Sequence, residues 1–283
     1  MRFTKMQGTG NDFIVIESED NNRDWSGLAA AMCDRHYGIG ADGLLIMLPS
    51  KKSDFAWRII NADGSESETC GNGLRCSTKY FVDTGKARLR QKEITIETIA
   101  GIRKAVITTQ ADKVVKVKVG MGKPKFEANE IPVTNTRNKR KVGPMITTTV
   151  TVDGKELRLN LVSMGNPHAV YFQGGDPAAF PLSSIGHEVE QNKIFPARTN
   201  FEVARVLGNS QIELRVWERG VGETLACGSG ACATAVAAKL NGLVKDKVAV
   251  KLPGGVLEIE WNGTGEVFLS GPAEEVFTGD WPE

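Results

Sequence analysis

The sequence has no long hydrophobic run, no excess of charge of either sign and only five cysteines. No apolar run approaches the ~20 residues that a membrane-spanning helix needs. The 35 Lys and Arg residues balance the 34 acidic residues, so neither a nucleic acid nor an anionic membrane is expected as a partner. The segment MRFTKMQGTGND lacks the apolar core of a signal peptide. A chain of this length does not need disulfides, and we expect it in the reducing cytoplasm.

Signatures of metals and cofactors are also missing from the sequence. The three histidines, His36, His168 and His187, lack a metal-ligand spacing, and the cysteines do not form the CxxC pairs of a zinc site. Neither a pyridoxal lysine nor a phosphate-binding loop is recognisable. We therefore expect an activity that uses no metal and no cofactor.

What the sequence does contain is an internal repeat. The segment Glu218–Cys232, ERGVGETLACGSGAC, resembles the earlier segment WRIINADGSESETCGNGLRC, which ends at Cys76. One constant shift along the chain aligns Cys227 with Cys70 and also aligns the flanking glycines. The chain thus carries two copies of a cysteine at the start of a predicted helix.

The pattern around this repeat predicts an α+β fold. The 31 glycines indicate many tight turns and short strands. The helix predicted over Ala231–Leu240 is apolar except near its end, so it must be buried on all sides. We predict two pseudo-symmetric domains, residues 1–124 and 125–272, each a curved mixed β-sheet or barrel around a central helix. The active site is expected in the cleft between them, and the tail, residues 273–283, is expected to pack back onto the first domain.

A cysteine at a helix N-terminus is suited to acid–base chemistry. Unpaired N–H groups and the helix dipole stabilise an anion there, so we expect the pKa of Cys70 and of Cys227 to be lowered from ~8.5 towards neutrality. The same N–H groups can hold a carboxylate, and glycines let it approach closely. Two such thiols on opposite faces of an α-carbon could remove one proton and return another, which inverts the stereocentre. The amides would stabilise the charge that develops on the carboxylate.

Simpler interpretations stay open from these residues. Two neighbouring cysteines could form a redox-active disulfide, and glycine-rich helix ends could bind an anion without catalysis. Cys33, Cys76 and Cys232 are expected to be buried apolar residues. Asn11, in a glycine-rich turn between two predicted strands, is by itself best explained as a turn residue.

Several further motifs narrow the choice. They are KMQGTGNDF, NADGSESETCGNG, SMGNPH, ERGVGETLACGSGAC and LPGG. Together they resemble the diaminopimelate epimerases over essentially the whole chain, whereas the cysteine motifs alone are shared with proline racemases and 4-hydroxyproline epimerases. The resemblance implies conversion of LL-2,6-diaminopimelate to the meso form, for lysine and peptidoglycan synthesis, by two thiols without pyridoxal phosphate in a homodimer. The alternative is a cofactor-independent racemase or epimerase of another amino acid, such as proline, hydroxyproline, histidine or glutamate.

The resemblance also implies roles for single residues. Cys70 and Cys227 are similar to the family's acid/base pair, Glu218 to its carboxylate near the reacting ammonium, and His168 to a residue that tunes the site. The helix-end cradle for the reacting α-carboxylate is implied at Gly71, Asn72, Gly228 and Ser229. The polar residues that grip the distal amino-acid end of the substrate are implied at Asn11, Asn61, Asn166, Asn200 and Arg219.

This sequence departs from the family pattern at two positions. Gly43 stands where some members have a glutamine that contacts the substrate, and Thr69 stands where a methionine is frequent. Both departures bear on which substrate is preferred, and neither affects the thiols.

Overall fold

The structure, a computed structural model, describes residues 1–67, 70–87, 91–134 and 140–282. The chain forms two compact units. The first comprises Met1–Gly120 together with the C-terminal segment from Ser270, and the second comprises Met121–Leu269. Sequence analysis sets these boundaries slightly later, at residues 124 and 272. Within the described ranges, no helix is long and apolar enough to cross a membrane.

Short strands alternate with a few helices along the chain. Up to residue 120 the elements are β1 (Arg2–Gly8), β2 (Asn11–Glu17), α1 (Trp25–Cys33), β3 (Gly43–Leu48), β4 (Phe55–Asn61), β5 (Glu66–Ser67), α2 (Gly71–Asp83), β6 (Glu93–Thr98), β7 (Gly101–Gln110) and β8 (Lys113–Gly120). They continue with β9 (Arg140–Val142), β10 (Met145–Val152), β11 (Lys155–Ser163), β12 (Pro167–Phe172), a 3-10 turn (Pro177–Ala179), α3 (Leu182–Glu190), β13 (Asn200–Val206), β14 (Gln211–Glu218), β15 (Gly222–Thr224), α4 (Gly228–Leu240), β16 (Lys247–Leu252), β17 (Gly255–Glu260), β18 (Phe268–Gly271) and β19 (Glu274–Asp280).

The sheet of the first unit has the strand order β19-β1-β2-β3-β4-β6-β7-β8, with β5 paired to β4. The β2–β3 and β4–β6 pairs are parallel, and the others are antiparallel. Parallel neighbours need a crossover connection, and the segments that contain α1 and α2 provide the two crossovers. The C-terminal strand β19 pairs with β1 and so belongs to this sheet.

The second unit repeats this arrangement. Its strand order is β9-β10-β11-β12-β13-β14-β16-β17, with β15 paired to β14. The β12–β13 and β14–β16 pairs are parallel, with α3 and α4 in the crossovers. The same succession of strand directions and helices therefore occurs twice in the chain.

The register of the strands repeats as well. In the first unit Gly43 pairs with Asn61. In the second, the pairing of β13 with β14, continued by one residue, places Asn200 opposite Glu218. The shift that aligns Cys70 with Cys227 also aligns these two pairs, so equivalent positions can be compared residue by residue.

One helix lies at the centre of each unit. Helix α2 packs against β1, β2, β3, β7, β8 and β19, and α4 packs against β11, β12, β13, β14, β16 and β17. Because each helix contacts strands from both halves of its sheet, the sheet curves around it. In α4 the residues Ala231–Ala238 are all buried, since small side chains allow close packing on every face. The predicted α+β class, with two similar units built around central helices, is confirmed.

Candidate active site

Each repeat cysteine caps the central helix of its unit. Cys70 precedes α2, and its Sγ accepts a hydrogen bond from the Gly73 N–H at 3.4 Å. Cys227 precedes α4, and its Sγ accepts one from the Gly230 N–H, also at 3.4 Å. A sulfur at the N-cap therefore takes the place of the serine, threonine or aspartate oxygen that usually satisfies this N–H group.

The glycines of the two motifs belong to the helices. The sequence predicts helix starts at Leu74 and Ala231, but the helices begin at Gly71 and Gly228. The first-turn N–H groups of a helix have no acceptor within it, and together with the helix dipole they suit an anion such as a carboxylate.

In the first unit, Asn11 connects the cysteine to the helix. Its Oδ1 lies 3.8 Å from Cys70 Sγ and accepts a hydrogen bond from Asn72 Nδ2 at 3.0 Å. Its Nδ2 donates to Asp42 Oδ2 at 2.5 Å, which fixes the orientation of the amide. Of the predicted site residues, Asn11, Cys70 and Asn72 are thus in contact, and Gly71 lies between the last two in the chain.

Sequence analysis overlooked Arg75, which lies directly behind this cluster. Its guanidinium is fully buried and donates to Asn72 Oδ1 at 2.8 Å, to Gly71 O at 3.3 Å and to Thr9 Oγ1 at 3.2 Å. These bonds tie the first turn of α2 to the turn that carries Asn11. The available signal was an arginine among small and apolar residues at the start of a predicted helix.

Charged residues hold the Asn11 turn from the other side. Asp12 accepts from Lys5 Nζ at 2.6 Å and from Arg35 at 2.7 Å, and Arg35 also reaches Asp42 at 2.9 Å. Burial acts to raise the pKa of Asp12, but the hydrogen bonds from Arg35 and Lys5 outweigh it and lower that pKa to about 2. Asp12 is therefore ionised at neutral pH, and the cluster is held together by charge.

Asn61 ends strand β4, where its Nδ2 donates to Ser65 Oγ at 2.9 Å. Gly43 pairs with it across β3 and β4. A Cβ at Gly43 would lie 3.0 Å from Ile60 O, so the backbone leaves little space for a side chain here. Thr69 lies outside the residues that the structure describes.

In the second unit, a chain of hydrogen bonds leads away from Cys227. Its Sγ lies 3.5 Å from Ser229 Oγ, which accepts from Asn166 Nδ2 at 3.3 Å. Asn166 Oδ1 lies 2.9 Å from His168 Nε2, and His168 Nδ1 lies 2.6 Å from Glu202 Oε1. His168 and Glu202 are both fully buried. The predicted residues Asn166, His168, Cys227 and Ser229 thus form one connected group.

Glu202 is a second residue that sequence analysis overlooked. It lies in β13, a strand whose first five residues are all buried. Burial raises its pKa, and the neighbouring His168 opposes that rise. The sequence signal for Glu202 was a carboxylate between apolar residues in the strand NFEVARV, where a buried charge needs a partner.

The expected lowering of the Cys227 pKa is wrong. Burial raises the pKa of this thiol well above its ordinary value, and the negative charges of Glu218 and Glu202 add to the rise. The hydrogen bonds from Ser229 and from the Gly230 N–H lower the pKa but are outweighed. Cys227 is therefore a protonated thiol at neutral pH, because desolvation of the thiolate outweighs the helix terminus.

Asn200 joins two segments of the second-unit site. Its side chain is buried; Oδ1 accepts from the Arg219 N–H at 2.9 Å, and Nδ2 donates to Pro167 O at 2.8 Å. Glu218, which ends β14, accepts from Thr224 Oγ1 at 2.5 Å. The Arg219 side chain is exposed. The predicted residues Asn200, Glu218 and Arg219 therefore share one corner of the unit.

Glu190 of α3 supports this corner from behind. Its Oε1 accepts from the Gly220 N–H at 2.9 Å, and its Oε2 accepts from Trp217 Nε1 at 2.7 Å. Its side chain is 5% exposed. The chain direction just after Glu218 is thus set by a buried carboxylate that sequence analysis did not identify.

The remaining cysteines behave as apolar residues. Cys33, Cys76 and Cys232 are buried, and all five cysteines of the chain are free thiols. Burial raises the pKa of Cys33 and of Cys76 to about 12. Only Cys70 and Cys227 combine a thiol with the start of a central helix.

Each unit therefore offers the same chemical set: a thiol at a helix N-terminus, first-turn amides suited to a carboxylate, and an asparagine linked to the cysteine. These groups can bind an amino-acid carboxylate and exchange a proton with the adjacent carbon.

Known proteins are similar to this chain in sequence and in fold. The family model described as "Diaminopimelate epimerase" matches residues 3–127 and 160–276. Proteins named diaminopimelate epimerase from Heliobacterium modesticaldum and Acetivibrio thermocellus are 44% and 46% identical to this chain. The first alignment covers 100% of both chains, and the second covers 99% of this chain and 98% of the relative.

Solved structures of more distant proteins share the fold. A probable proline racemase from Agrobacterium radiobacter has a TM-score of 0.71 at 14% identity and covers 99% of this chain and 92% of its own. A hydroxyproline epimerase from Agrobacterium vitis has a TM-score of 0.70 at 15% identity and covers 99% of this chain and 91% of its own. At such low identity the likeness concerns the fold alone. The full-length sequence matches decide the family, and this chain belongs to the diaminopimelate epimerase family.

Proposed function

We propose that this protein inverts one α-carbon of LL-2,6-diaminopimelate to give the meso form, a step towards lysine and peptidoglycan precursors. The observation that carries the proposal is the duplicated cap: Cys70 and Cys227 each accept a hydrogen bond from the third residue of a central helix at 3.4 Å. A stereocentre is inverted without a cofactor when one base removes a proton from one face and an acid returns a proton to the other.

In the proposed reaction, one sulfur is a thiolate and the other a thiol. The thiolate takes the α-proton, the electron pair is delocalised into the carboxylate as an enediolate, and the thiol delivers a proton to the opposite face. The first-turn amides of α2 and α4, at Gly71, Asn72, Gly228 and Ser229, hold the carboxylate and stabilise its developing charge. Glu218 accepts a hydrogen bond from the ammonium group of the reacting end, and His168 influences the protonation of the Cys227 thiol.

The second amino-acid end of diaminopimelate gives the site its specificity in this proposal. A carboxylate at that end is suited to Arg219, since a guanidinium and several amides form charge-assisted hydrogen bonds with it. The amides proposed for this task are those of Asn11, Asn61, Asn166 and Asn200. Arg219 is exposed, and one of its guanidinium nitrogens donates to Ala197 O at 3.1 Å; this supports the availability of its remaining N–H groups for a ligand.

We further propose that the protein works as a homodimer in the cytoplasm, without a metal or organic cofactor and without a nucleic-acid or membrane partner. The 44–46% identity of the full-length relatives favours diaminopimelate over proline, hydroxyproline, histidine or glutamate as the substrate.

Single cysteine variants and a substrate panel test the proposal. We expect Cys70→Ala and Cys227→Ala each to abolish epimerisation of LL-diaminopimelate, and solvent deuterium to enter Cα of the wild-type product. Cys33→Ala is the matched control and should keep wild-type turnover. Substantial turnover in either repeat-cysteine variant, or inversion without deuterium uptake, would refute the two-base mechanism. Faster turnover of proline, hydroxyproline, histidine or glutamate than of diaminopimelate would refute the substrate.

A further inference from the structure

A buried histidine–carboxylate pair ends the hydrogen-bond chain of the second unit. His168 Nδ1 and Glu202 Oε1 are 2.6 Å apart, and both side chains are fully buried. The Ala169 backbone N–H also acts on this carboxylate and lowers its pKa, but no side chain in the described part of the chain bonds to the buried Glu202 Oε2. A bare carboxylate in such a place is unfavourable unless it is neutralised, so the state of this pair needs an explanation.

The neighbours of the pair determine where its protons lie. Asn166 donates from Nδ2 to Ser229 Oγ, so its acceptor oxygen faces His168 Nε2 at 2.9 Å. Nε2 must therefore carry a hydrogen. The short contact between Nδ1 and Oε1 requires a second hydrogen between them. The pair consequently holds two hydrogens and is neutral as a unit, either as imidazolium and carboxylate or as imidazole and carboxylic acid.

The first unit shows what this position looks like without the pair. The parallel pairing of β2 with β3 in the first unit corresponds to that of β12 with β13 in the second. In this alignment Phe13 takes the position of His168, and Leu45 takes the position of Glu202. A Cβ on Gly73 would lie 3.2 Å from Leu45 Cδ2. The equivalent Cβ on Gly230 would lie 2.9 Å from Glu202 Oε1.

The other members of the hydrogen-bond chain do have counterparts in the first unit: Asn11, Asn72 and Cys70 match Asn166, Ser229 and Cys227. An apolar pair thus fills the same space in the first unit, so packing alone does not explain the polar pair in the second.

We propose that Glu202 is a positioning residue that shares one proton with His168 and thereby fixes the direction of a hydrogen-bond chain ending at the Cys227 sulfur. In that chain His168 Nε2–H donates to Asn166, Asn166 donates to Ser229, and the Ser229 hydroxyl donates to Sγ. No covalent bond changes, and the shared proton stays within the pair.

The direction of the chain matters for the reaction, and this part of the inference rests on the proposed function. Burial and the charge of Glu218 keep Cys227 protonated. Once Cys227 has given its proton to the substrate, it must survive as a buried thiolate until the proton is restored. A hydroxyl donor aimed at Sγ stabilises that anion, whereas a chain in the reverse direction would offer it only lone pairs.

The tautomer of His168 tests the proposal directly. The chain has only three histidines, so ¹⁵N-histidine labelling gives few signals, and His36→Gln and His187→Gln identify the other two. We expect Nε2 of His168 to appear as a protonated nitrogen in the wild type. Glu202→Gln should keep this tautomer, because its amide can donate to Nδ1. Glu202→Leu should show a mixture of the two tautomers, because nothing then holds Nδ1 and the Asn166 amide can turn over.

Kinetics supply a second readout. We expect Glu202→Leu to lower kcat on the order of tenfold or more while KM changes less than about twofold, because the thiol and not the carboxylate cradle is affected. Glu202→Gln should retain more activity than Glu202→Leu. If Glu202→Leu does not fold, the double variant His168→Phe/Glu202→Leu reproduces the apolar pair of the first unit and replaces it in the kinetic test.

Two results would overturn the proposal: a bare Nε2 in the wild type, or the same His168 tautomer in the wild type and in Glu202→Leu. A wild-type kcat in Glu202→Leu would also overturn it. The tautomer measurement needs no turnover. If the protein failed to epimerise diaminopimelate while His168 showed the expected tautomers, the function proposed above would fail, and the proton assignment would stand.

Discussion

Replacing Asp12 by asparagine probes the charged cluster that holds the Asn11 turn. Asp12 bonds to Lys5, whose side chain is 8% exposed, and to Arg35, whose side chain is 55% exposed. Two partners of such different burial should contribute unequally to stability. Exposed ion pairs contribute about 0–1 kcal/mol, whereas removing one partner of a buried pair costs about 3–5 kcal/mol.

The pKa of Asp12 gives an independent magnitude. A decrease from the ordinary value of 3.8 to about 2 corresponds to roughly 2 kcal/mol of stabilisation of the folded state. Asp12→Asn also leaves the Lys5 ammonium buried without its carboxylate. We therefore expect the free energy of unfolding to fall by about 2–4 kcal/mol.

Urea unfolding followed by tryptophan fluorescence measures this loss, and Arg35→Gln is the matched control. Arg35→Gln removes the more exposed partner of the same carboxylate but leaves the buried contact with Lys5, so it should cost less stability than Asp12→Asn. If both variants lost the same stability, the buried lysine would not be the main partner, and the reasoning from burial would be refuted.

The pH dependence supplies a further check with a definite sign. The folded-state pKa of Asp12 lies below its unfolded value, so its stabilisation is fully present above about pH 4 and is lost as pH falls towards 2. The stability difference between the wild type and Asp12→Asn should therefore be constant from pH 7 to 5 and shrink below pH 4. A difference that persisted undiminished to pH 2 would contradict the assigned shift.

Two other predictions concern the second unit. Because the pKa of Cys227 is raised, iodoacetamide should alkylate it more slowly at pH 7.5 than it alkylates a free cysteine, and the rate should increase with pH. Peptide mass spectrometry of the Cys70→Ala variant measures this rate. Rapid alkylation at neutral pH would contradict a protonated resting thiol. Glu190→Gln leaves one of the two partly buried donors to this carboxylate, Trp217 Nε1 or the backbone N–H of Gly220, without an acceptor. It should therefore cost about 1 kcal/mol of stability and raise KM. An unchanged urea midpoint and KM would show that this support is dispensable.

Local sequence patterns predicted much of the fold. The apolar pattern predicts a strand over Phe55–Ile60 and a helix over Trp25–Cys33; the strand extends one residue further, to Asn61, and the helix has the predicted bounds. The repeat predicted the duplicated units, because similar motifs at a constant shift favour the same local structure. Helix Leu182–Glu190 was not predicted, since its short segment is punctuated by glycine and serine and gains its stability from packing.

The candidate site was likewise predicted only in part. The cysteines, glycines and asparagines lie in motifs and could be read from the sequence. Arg75 and Glu202 could not, because their roles depend on partners far away in the chain, Thr9 and His168. The protonation of Cys227 was predicted wrongly for a related reason: a helix terminus is visible in the sequence, but the extent of burial is a property of the folded unit.

The differences between the two units carry more functional information than their similarities. Backbone register, capping cysteine and first-turn glycines are common to both and explain why each can hold a carboxylate. Charges behind the thiols are not common to both: Arg75 in the first unit aligns with the neutral Cys232 in the second, and Glu202 in the second aligns with the apolar Leu45 in the first.

A two-base inversion needs one thiolate and one thiol at the same time, and two identical environments would give no preference for which is which. Burial and the negative charge of Glu218 keep the Cys227 thiol protonated, because they raise its pKa well above the ordinary value. In the two-base inversion proposed above, Cys227 is therefore the acid that donates a proton, and Cys70 is the base.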